Sequence, residues 1–143
     1  MGRIDELAGT TVYLDTNVFV YAVEGFAEYR AFLTELFAAI DRGEVTAVTS
    51  ELTLAEVLVE PLERGRDDVV AIYEEMLQTS DHLVVAPIDR PVLFAAAEQR
   101  AVLGISLADA IHVATALLSG CSILLTNHRR LRAPTPLAIR GLE

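Results

Sequence analysis

Four short stretches place ionisable or hydrogen-bonding side chains inside otherwise apolar sequence. Asp15, Thr16 and Asn17 interrupt VYLDTNVFVY, and Glu56 is the only charge between Leu52 and Val59 in SELTLAEVLVEPL. Asp109 lies in ISLADAIHVATAL, and Thr126, Asn127 and His128 close the run CSILLTNH. Charge in such surroundings is unfavourable unless something pairs with it. Three carboxylates brought together repel one another unless a cation joins them, so neutralising one would ease that repulsion. Oxygen ligands without cysteine suit a hard ion such as Mg²⁺ or Mn²⁺, which keeps part of its water and commonly works on phosphates. The chemistry this permits is metal-assisted attack of water on a phosphodiester.

Each group also has a purely structural account. Asp and Asn favour turns after strands. Glu56 could be a single solvent-facing position on an amphipathic helix, although the Leu, Ala and Val around it favour a Glu that faces inward or into a cleft. Ser106 with Asp109 three residues on resembles a capping box, in which the acid is also favoured by the helix dipole. That last role is compatible with ligation, because a carboxylate already fixed by its neighbours has its geometry set.

The elements that must position these groups alternate. TVYLD reads as a short apolar strand, and residues 28–42 put Tyr29, Phe32, Leu33, Leu36, Phe37 and Ile40 on one helical stripe that Gly43 stops. VTAVTS (45–50) is strand-like, with Ser50 capping a helix from 51 to about 64. DDVVAIYEEMLQ predicts a helix with Val69, Ile72, Tyr73 and Met76 on one face. HLVVAPI predicts a strand, residues 90–103 a helix ended by Gly104, and residues 106–119 a helix ended by Gly120. CSILLT predicts a strand and PLAIR a last short one. Strands that are apolar throughout, between helices, predict a parallel sheet of four to five strands covered on both faces, in a single domain spanning 1–143. Ligands of such sheets bind beyond the carboxyl ends of the strands, where the strand order reverses.

The hydrophobic fraction of 52% belongs to that two-sided core. The longest charge-free stretch, Ala110 to His128, is broken by His112, Ser119, Gly120, Ser122, Thr126 and Asn127, unlike a membrane span. MGRIDELAG lacks the apolar core of a signal peptide, so a cytoplasmic location is expected. The single Cys121 excludes an internal disulfide and reads as a small buried filler. The net charge is −10, unevenly spread. Residues 1–109 carry seven Arg against twenty acids, whereas residues 110–143 carry four Arg and only Glu143. Arg129, Arg130, Arg132 and Arg140 therefore either form a phosphate-facing rim on an acidic body or are ordinary surface. All eleven basic residues are Arg, and without lysine there is neither a P-loop lysine nor Schiff-base chemistry.

YLDTNVFVY, SELTLAEVL, ISLADAIHVATAL and LLTNHRRL together, in this order over residues 12–131, resemble the four motif regions of PIN-domain ribonucleases, especially VapC-type toxins of bacterial toxin–antitoxin pairs. The resemblance implies a PIN-like three-layer α/β/α fold and an endoribonuclease dependent on Mg²⁺ or Mn²⁺. It further implies inhibition by a small cognate antitoxin and a homodimer. It assigns metal binding and catalysis to Asp15, Glu56 and Asp109, with Asn17, Thr126 and Asn127 as supporting polar groups. RNA then falls to Arg129, Arg130 and Arg132. One departure stands out: the family's Thr–polar–Asp after the last core strand is here Thr126–Asn127–His128. The fourth acid is thus replaced by an imidazole, which coordinates Mn²⁺ better than Mg²⁺ if it reaches the ion and otherwise faces the RNA.

Two other readings compete. Haloacid-dehalogenase-like phosphatases and response-regulator receivers also place an Asp after the first strand, but both rely on a lysine this chain lacks. A catalytically impaired PIN-fold module that only binds RNA or protein is the alternative of a different class, and cleavage abolished by EDTA separates it from the enzyme.

Overall fold

The computed structural model describes residues 2–142, so the outermost positions of the predicted domain, Met1 and Glu143, lie outside the described residues. Among these residues five strands form one sheet: β1 (Thr11–Leu14), β2 (Thr46–Ser50), β3 (Leu83–Ala86), β4 (Ile123–Leu125) and β5 (Ala138–Arg140). Their order is β3-β2-β1-β4-β5, and all four pairings are parallel. β1 is central: Val12 is in register with Ala47 on one side and with Ile123 on the other. The chain runs outward from β1 to β2 and β3, then returns to lay β4 on the opposite flank of β1. The order therefore reverses between β1 and β4, which fixes where a ligand crevice opens.

Among the described residues seven α-helices accompany the sheet: α1 (Gly2–Leu7), α2 (Thr16–Glu24), α3 (Arg30–Asp41), α4 (Glu51–Glu63), α5 (Asp67–Met76), α6 (Arg90–Leu103) and α7 (Leu107–Leu118). Alternation along the strands divides the interior in two. Val12 and Leu14 enter one core with Phe19, Leu33, Leu36, Ile40, Val69 and Tyr73, from α2, α3 and α5. Tyr13 enters the other with Val92 and Ala96 of α6 and Ala110, Val113, Ala114 and Ala116 of α7. The result is the predicted three-layer α/β/α arrangement. Complete burial of a Leu side chain contributes about 1.5–3 kcal/mol. Leu14, Leu124 and Leu125 are all buried, so the central strands anchor the site above them.

Most predicted boundaries hold to within a residue or two. Ser50 accepts from the Leu52 amide at 3.0 Å and caps α4 as expected. Two helices escaped the sequence reading. In α1 only six residues are involved. In α2 the run of Val, Phe and Tyr looks like a strand because β-branched and aromatic residues favour one. Asp15 nevertheless caps the start of α2, and Gly25, at φ 78°, ends it in the left-handed conformation. On α5, Val69 and Tyr73 are buried as expected, but Ile72 is 50% exposed, outside the apolar stripe. α4 is likewise less enclosed than its composition suggested, with Val59 and Leu62 open to solvent.

Among the described residues no single helix is long and apolar enough to cross a membrane. α6 and α7 pass such a test only as a pair bent by 117°, and α7 is buried through most of its length against the sheet.

Candidate active site

Asp15 follows the last residue of β1, and its amide donates to the Leu125 carbonyl at 3.1 Å, tying it to the end of β4. Asp15 as a whole is only 7% exposed, and its carboxylate is held by three donors. The Thr16 amide reaches Oδ1 at 2.7 Å, while the Thr126 hydroxyl reaches Oδ2 at 2.6 Å and the Asn17 amide nitrogen Oδ2 at 3.3 Å. An acid is tolerated between apolar runs here because it is a helix cap and a hydrogen-bonded strand end at once. Thr126 is the hub of this cluster, since its oxygen also accepts from the His128 amide at 2.9 Å and from Asn17 at 3.2 Å.

Glu56 arrives from the second turn of α4. Its side chain is 35% exposed, and Oε1 accepts from the Thr16 hydroxyl at 2.6 Å and from His112 Nε2 at 2.8 Å. The hydrogen bond from His112 holds the Glu56 carboxyl below the ordinary carboxylate range, against the opposing effect of burial. Beneath it, Thr49 and Thr53 hydroxyls lie 2.8 Å apart, and Thr49 donates to the Leu14 carbonyl at 2.8 Å. This polar seam joins the ends of β1 and β2 to α4.

Asp109 sits in the first turn of α7, where Ser106 caps the helix by accepting from the Asp109 amide at 3.1 Å. The side chain turns to His128, whose Nδ1 is 3.4 Å from Oδ2. The turn leading into α7 is fastened by two arginines: Arg100 donates to the Ile105 carbonyl at 2.6 Å and Arg132 to the Leu103 carbonyl at 2.5 Å. Arg132, expected at an RNA-facing rim, is therefore engaged in holding the start of α7. Arg129 and Arg130 are exposed, and Arg129 lines a second recess of about 330 Å³ with Thr126, Asn127 and His128.

Asp15, Glu56 and Asp109 line one open cleft of about 400 Å³ together with Thr16, Asn17, His112 and His128. Residues separated by nearly a hundred positions thus meet at the switch point between β1 and β4. The donor chemistry suits a hard divalent ion, with carboxylate oxygens and no sulfur. Among the described residues, however, no three His, Cys, Asp or Glu groups converge closely enough to hold an ion as they stand. Glu56 meets His112 through Oε1 alone, whereas Asp109 is drawn to His128, so gathering the three carboxylates round one ion would need the Asp109 side chain to turn back into the cleft. The supporting residues also part company. Asn17 and Thr126 grip Asp15, whereas the Asn127 side chain faces elsewhere, donating to the Tyr29 hydroxyl at 2.6 Å and accepting from the Leu142 amide at 3.2 Å.

Sequence reasoning overlooked His112, which is 2% exposed and lies at the centre of the cluster. The signal was the one that singled out Glu56: an ionisable residue inside an apolar helix, here one turn beyond Asp109. Cys121 is the buried filler expected, with its thiol pushed up to about 12 by burial.

Comparison with known proteins fits this architecture. No curated protein matches the chain. Among solved structures, the DNA-bound VapBC complex from Salmonella typhimurium superposes with a TM-score of 0.71 at 18% identity, covering 94% of this chain and 99% of that one. A toxin–antitoxin complex from Klebsiella pneumoniae gives 0.69 at 20% identity, covering 92% and 98%. VapC20 of Mycobacterium tuberculosis, described as a toxin cleaving the sarcin–ricin loop, gives 0.65 at 16% identity, covering 79% and 86%. At such identities the likeness is one of fold. The sequence profile of the PIN domain, by contrast, matches residues 12–135, nearly the whole length. The chain belongs to the PIN domain family.

Proposed function

We propose that this PIN domain is a metal-dependent endoribonuclease and the toxin of a toxin–antitoxin pair. The observation that carries the reading is the meeting of Asp15, Glu56 and Asp109 in one cleft at the carboxyl edge of the sheet, each delivered by a different element. Family membership and the toxin–antitoxin assemblies among the structural neighbours support it. So does VapC20, whose described target is an RNA loop.

In this reading Asp15, Glu56 and Asp109 hold Mg²⁺ or Mn²⁺. When bound, such an ion supplies a water acidic enough to attack at neutral pH and offsets the charge on the phosphate. Thr126 and Asn17 hold the Asp15 carboxylate in a fixed orientation. Arg129 shares a recess with His128, which also lines the cleft, and Arg130 follows it in the chain; both offer exposed cations to the backbone of a single strand. This offsets the repulsion between a polyanion and a chain of net charge −10. A cognate antitoxin, a homodimer and a cytoplasmic setting belong to the same proposal.

The test is cleavage of a mixed RNA pool by pure protein with Mg²⁺ or Mn²⁺, with and without EDTA, alongside Asp15→Asn, Glu56→Gln and Asp109→Asn. Loss of cleavage in EDTA and in each variant is the expected result. Equal cleavage by all of them would trace the activity to a contaminant and remove the proposal. A second reading, a binding module without catalysis, draws on the closed state of the carboxylates, two of which are already matched with imidazoles. RNA binding that needs no ion, without any cleavage, would establish that reading instead.

A further inference from the structure

Nothing in the proposed reaction requires a buried imidazole, yet His112 has both ring nitrogens engaged. Nδ1 is 2.5 Å from the Tyr13 hydroxyl and Nε2 is 2.8 Å from Glu56 Oε1. Nε2 also lies 3.4 Å from the Thr16 hydroxyl and 3.7 Å from Asp15 Oδ1. A carboxylate can only accept, so Nε2 carries the proton and donates to Glu56. Nδ1 of the uncharged ring is then an acceptor, and the Tyr13 hydroxyl donates to it. Hydrogen bonds thus run in one direction, from Tyr13 through His112 to Glu56.

The anchor of this relay is rigid. Tyr13 is fully buried in β1, two residues before Asp15, and its ring meets the imidazole edge to face with centroids 5.7 Å apart. The far end is not rigid by itself, since a glutamate has three rotatable side-chain bonds, and ordering it is entropically unfavourable. The bonds from His112 and Thr16 both fall on Oε1 and leave Oε2 for another partner.

We propose that His112 is a positioning residue: anchored by Tyr13, it fixes Glu56 through Oε1 so that Oε2 serves the cleft as a ligand for a hard divalent cation. This rests on the reading of Glu56 as a working carboxylate. A hydrogen-bond partner behind a ligand sets its orientation and its basicity, and losing one commonly weakens metal binding by about 10–100-fold. A purely structural hydrogen bond would instead affect stability and leave ion binding alone.

The experiment titrates EDTA-stripped full-length protein with Mg²⁺ alone by calorimetry and records the melting temperature of each ion-free sample. The variants are His112→Leu, which keeps bulk and removes the donor, His112→Gln, which places an amide N–H at similar reach, Tyr13→Phe and Glu56→Gln. Glu56→Gln is expected to weaken Mg²⁺ binding. His112→Leu should weaken it by at least about tenfold and Tyr13→Phe by less, with most of the affinity retained in His112→Gln. In the Glu56→Gln background, His112→Leu should add nothing. If Glu56→Gln changes neither Mg²⁺ binding nor RNA cleavage, the assignment of Glu56 fails and the inference falls with it. If Glu56→Gln weakens binding while His112→Leu and Tyr13→Phe melt earlier but bind Mg²⁺ like the parent, only the positioning role is overturned. Should His112→Leu fail to fold, His112→Asn, too short to reach Glu56, replaces it. Equal Mg²⁺ affinity in the Asn and Gln variants would overturn the proposal.

Discussion

Replacing Asp15 by Asn exchanges one carboxylate oxygen for an amine in a site with little room for new donors. Asn can keep the cap by leaving its oxygen at the Thr16 amide. Its amine then faces the Thr126 hydroxyl and the Asn17 amine, both of which donate to Asp15 Oδ2 in the parent protein. Thr126 cannot simply reverse its role, because its oxygen already accepts from His128 and Asn17. Two hydrogen bonds to a charged group therefore disappear, each of which contributes about 1.5–3 kcal/mol when formed. Against this stands relief of repulsion from Glu56 and Asp109. In a water-filled cleft that is ~0.6 kcal/mol for each of the two pairs at ~7 Å, or ~1.2 kcal/mol together, and it would reach ~4.8 kcal/mol only at an effective dielectric constant of ~20, which an open cleft exceeds. The hydrogen bonds win, and the variant should be less stable by about 2 kcal/mol, which lowers Tm by roughly 6–8 °C for a chain of this length. This reverses the expectation from sequence that neutralising one acid would stabilise the ion-free protein. Differential scanning calorimetry in EDTA measures it. A Tm equal to or above that of the parent would refute the reasoning, for it would mean that the three donors do not outweigh like-charge repulsion.

Changing Arg129 and Arg130 to Ala should lower the salt slope of single-stranded RNA binding by about 0.7 for each phosphate no longer neutralised, as read from affinities across a salt series. Arg132→Ala should in addition lower the melting temperature, because its guanidinium donates to the Leu103 carbonyl and fastens the α6–α7 turn. His128→Asp sets a second carboxylate against Asp109, so the ion-free protein should melt earlier while Mg²⁺ binding tightens in calorimetry. No change in either quantity would remove His128 from the cleft's chemistry. Glu56 is ionised more readily in the folded chain than its ordinary value of 4.5 allows, so its charge favours the fold at neutral pH. That contribution fades as pH falls from 4.5 through the lower folded value, and Glu56→Gln should flatten this part of a Tm–pH profile. Thiol titration should find Cys121 unreactive under mildly alkaline conditions in the folded protein and reactive in denaturant, as burial pushes the thiol up to about 12.

What could be read beforehand and what could not divides along physical lines. Asp15 and Thr126 were legible because a polar residue ending an apolar strand has a fixed place in a parallel sheet, and the strand order then brings the two together. Glu56 was legible as one charge in a greasy helix. The partners were not, since Tyr13 to His112 spans 99 positions and no local pattern encodes such a pair. His112 stood out in the sequence only as a break in a charge-free stretch, and only the fold reveals that it points at a carboxylate. α2 was hidden because Val18, Phe19 and Val20 carry strand propensity, yet a helix there satisfies the Asp15 cap and buries Val18 and Phe19. The charge asymmetry identified a basic segment without saying what its arginines touch: Arg132 is exposed like Arg129 and Arg130, yet it also fastens the α6–α7 turn.

The hydrogen bond from Thr126 to Asp15 joins residues 111 positions apart, and it carries a consequence in time. During synthesis the chain leaves the ribosome from its N-terminus, so Asp15 emerges long before β4 and Thr126 exist. Until then β1 lacks one of its two neighbours, the Asp15 carboxylate lacks its closest donor, and the wall of the cleft that includes His128 has not been made. Until β4 and the residues after it have been made and docked, the cleft is incomplete, and any chemistry that needs Asp15 held by Thr126 has to wait for them.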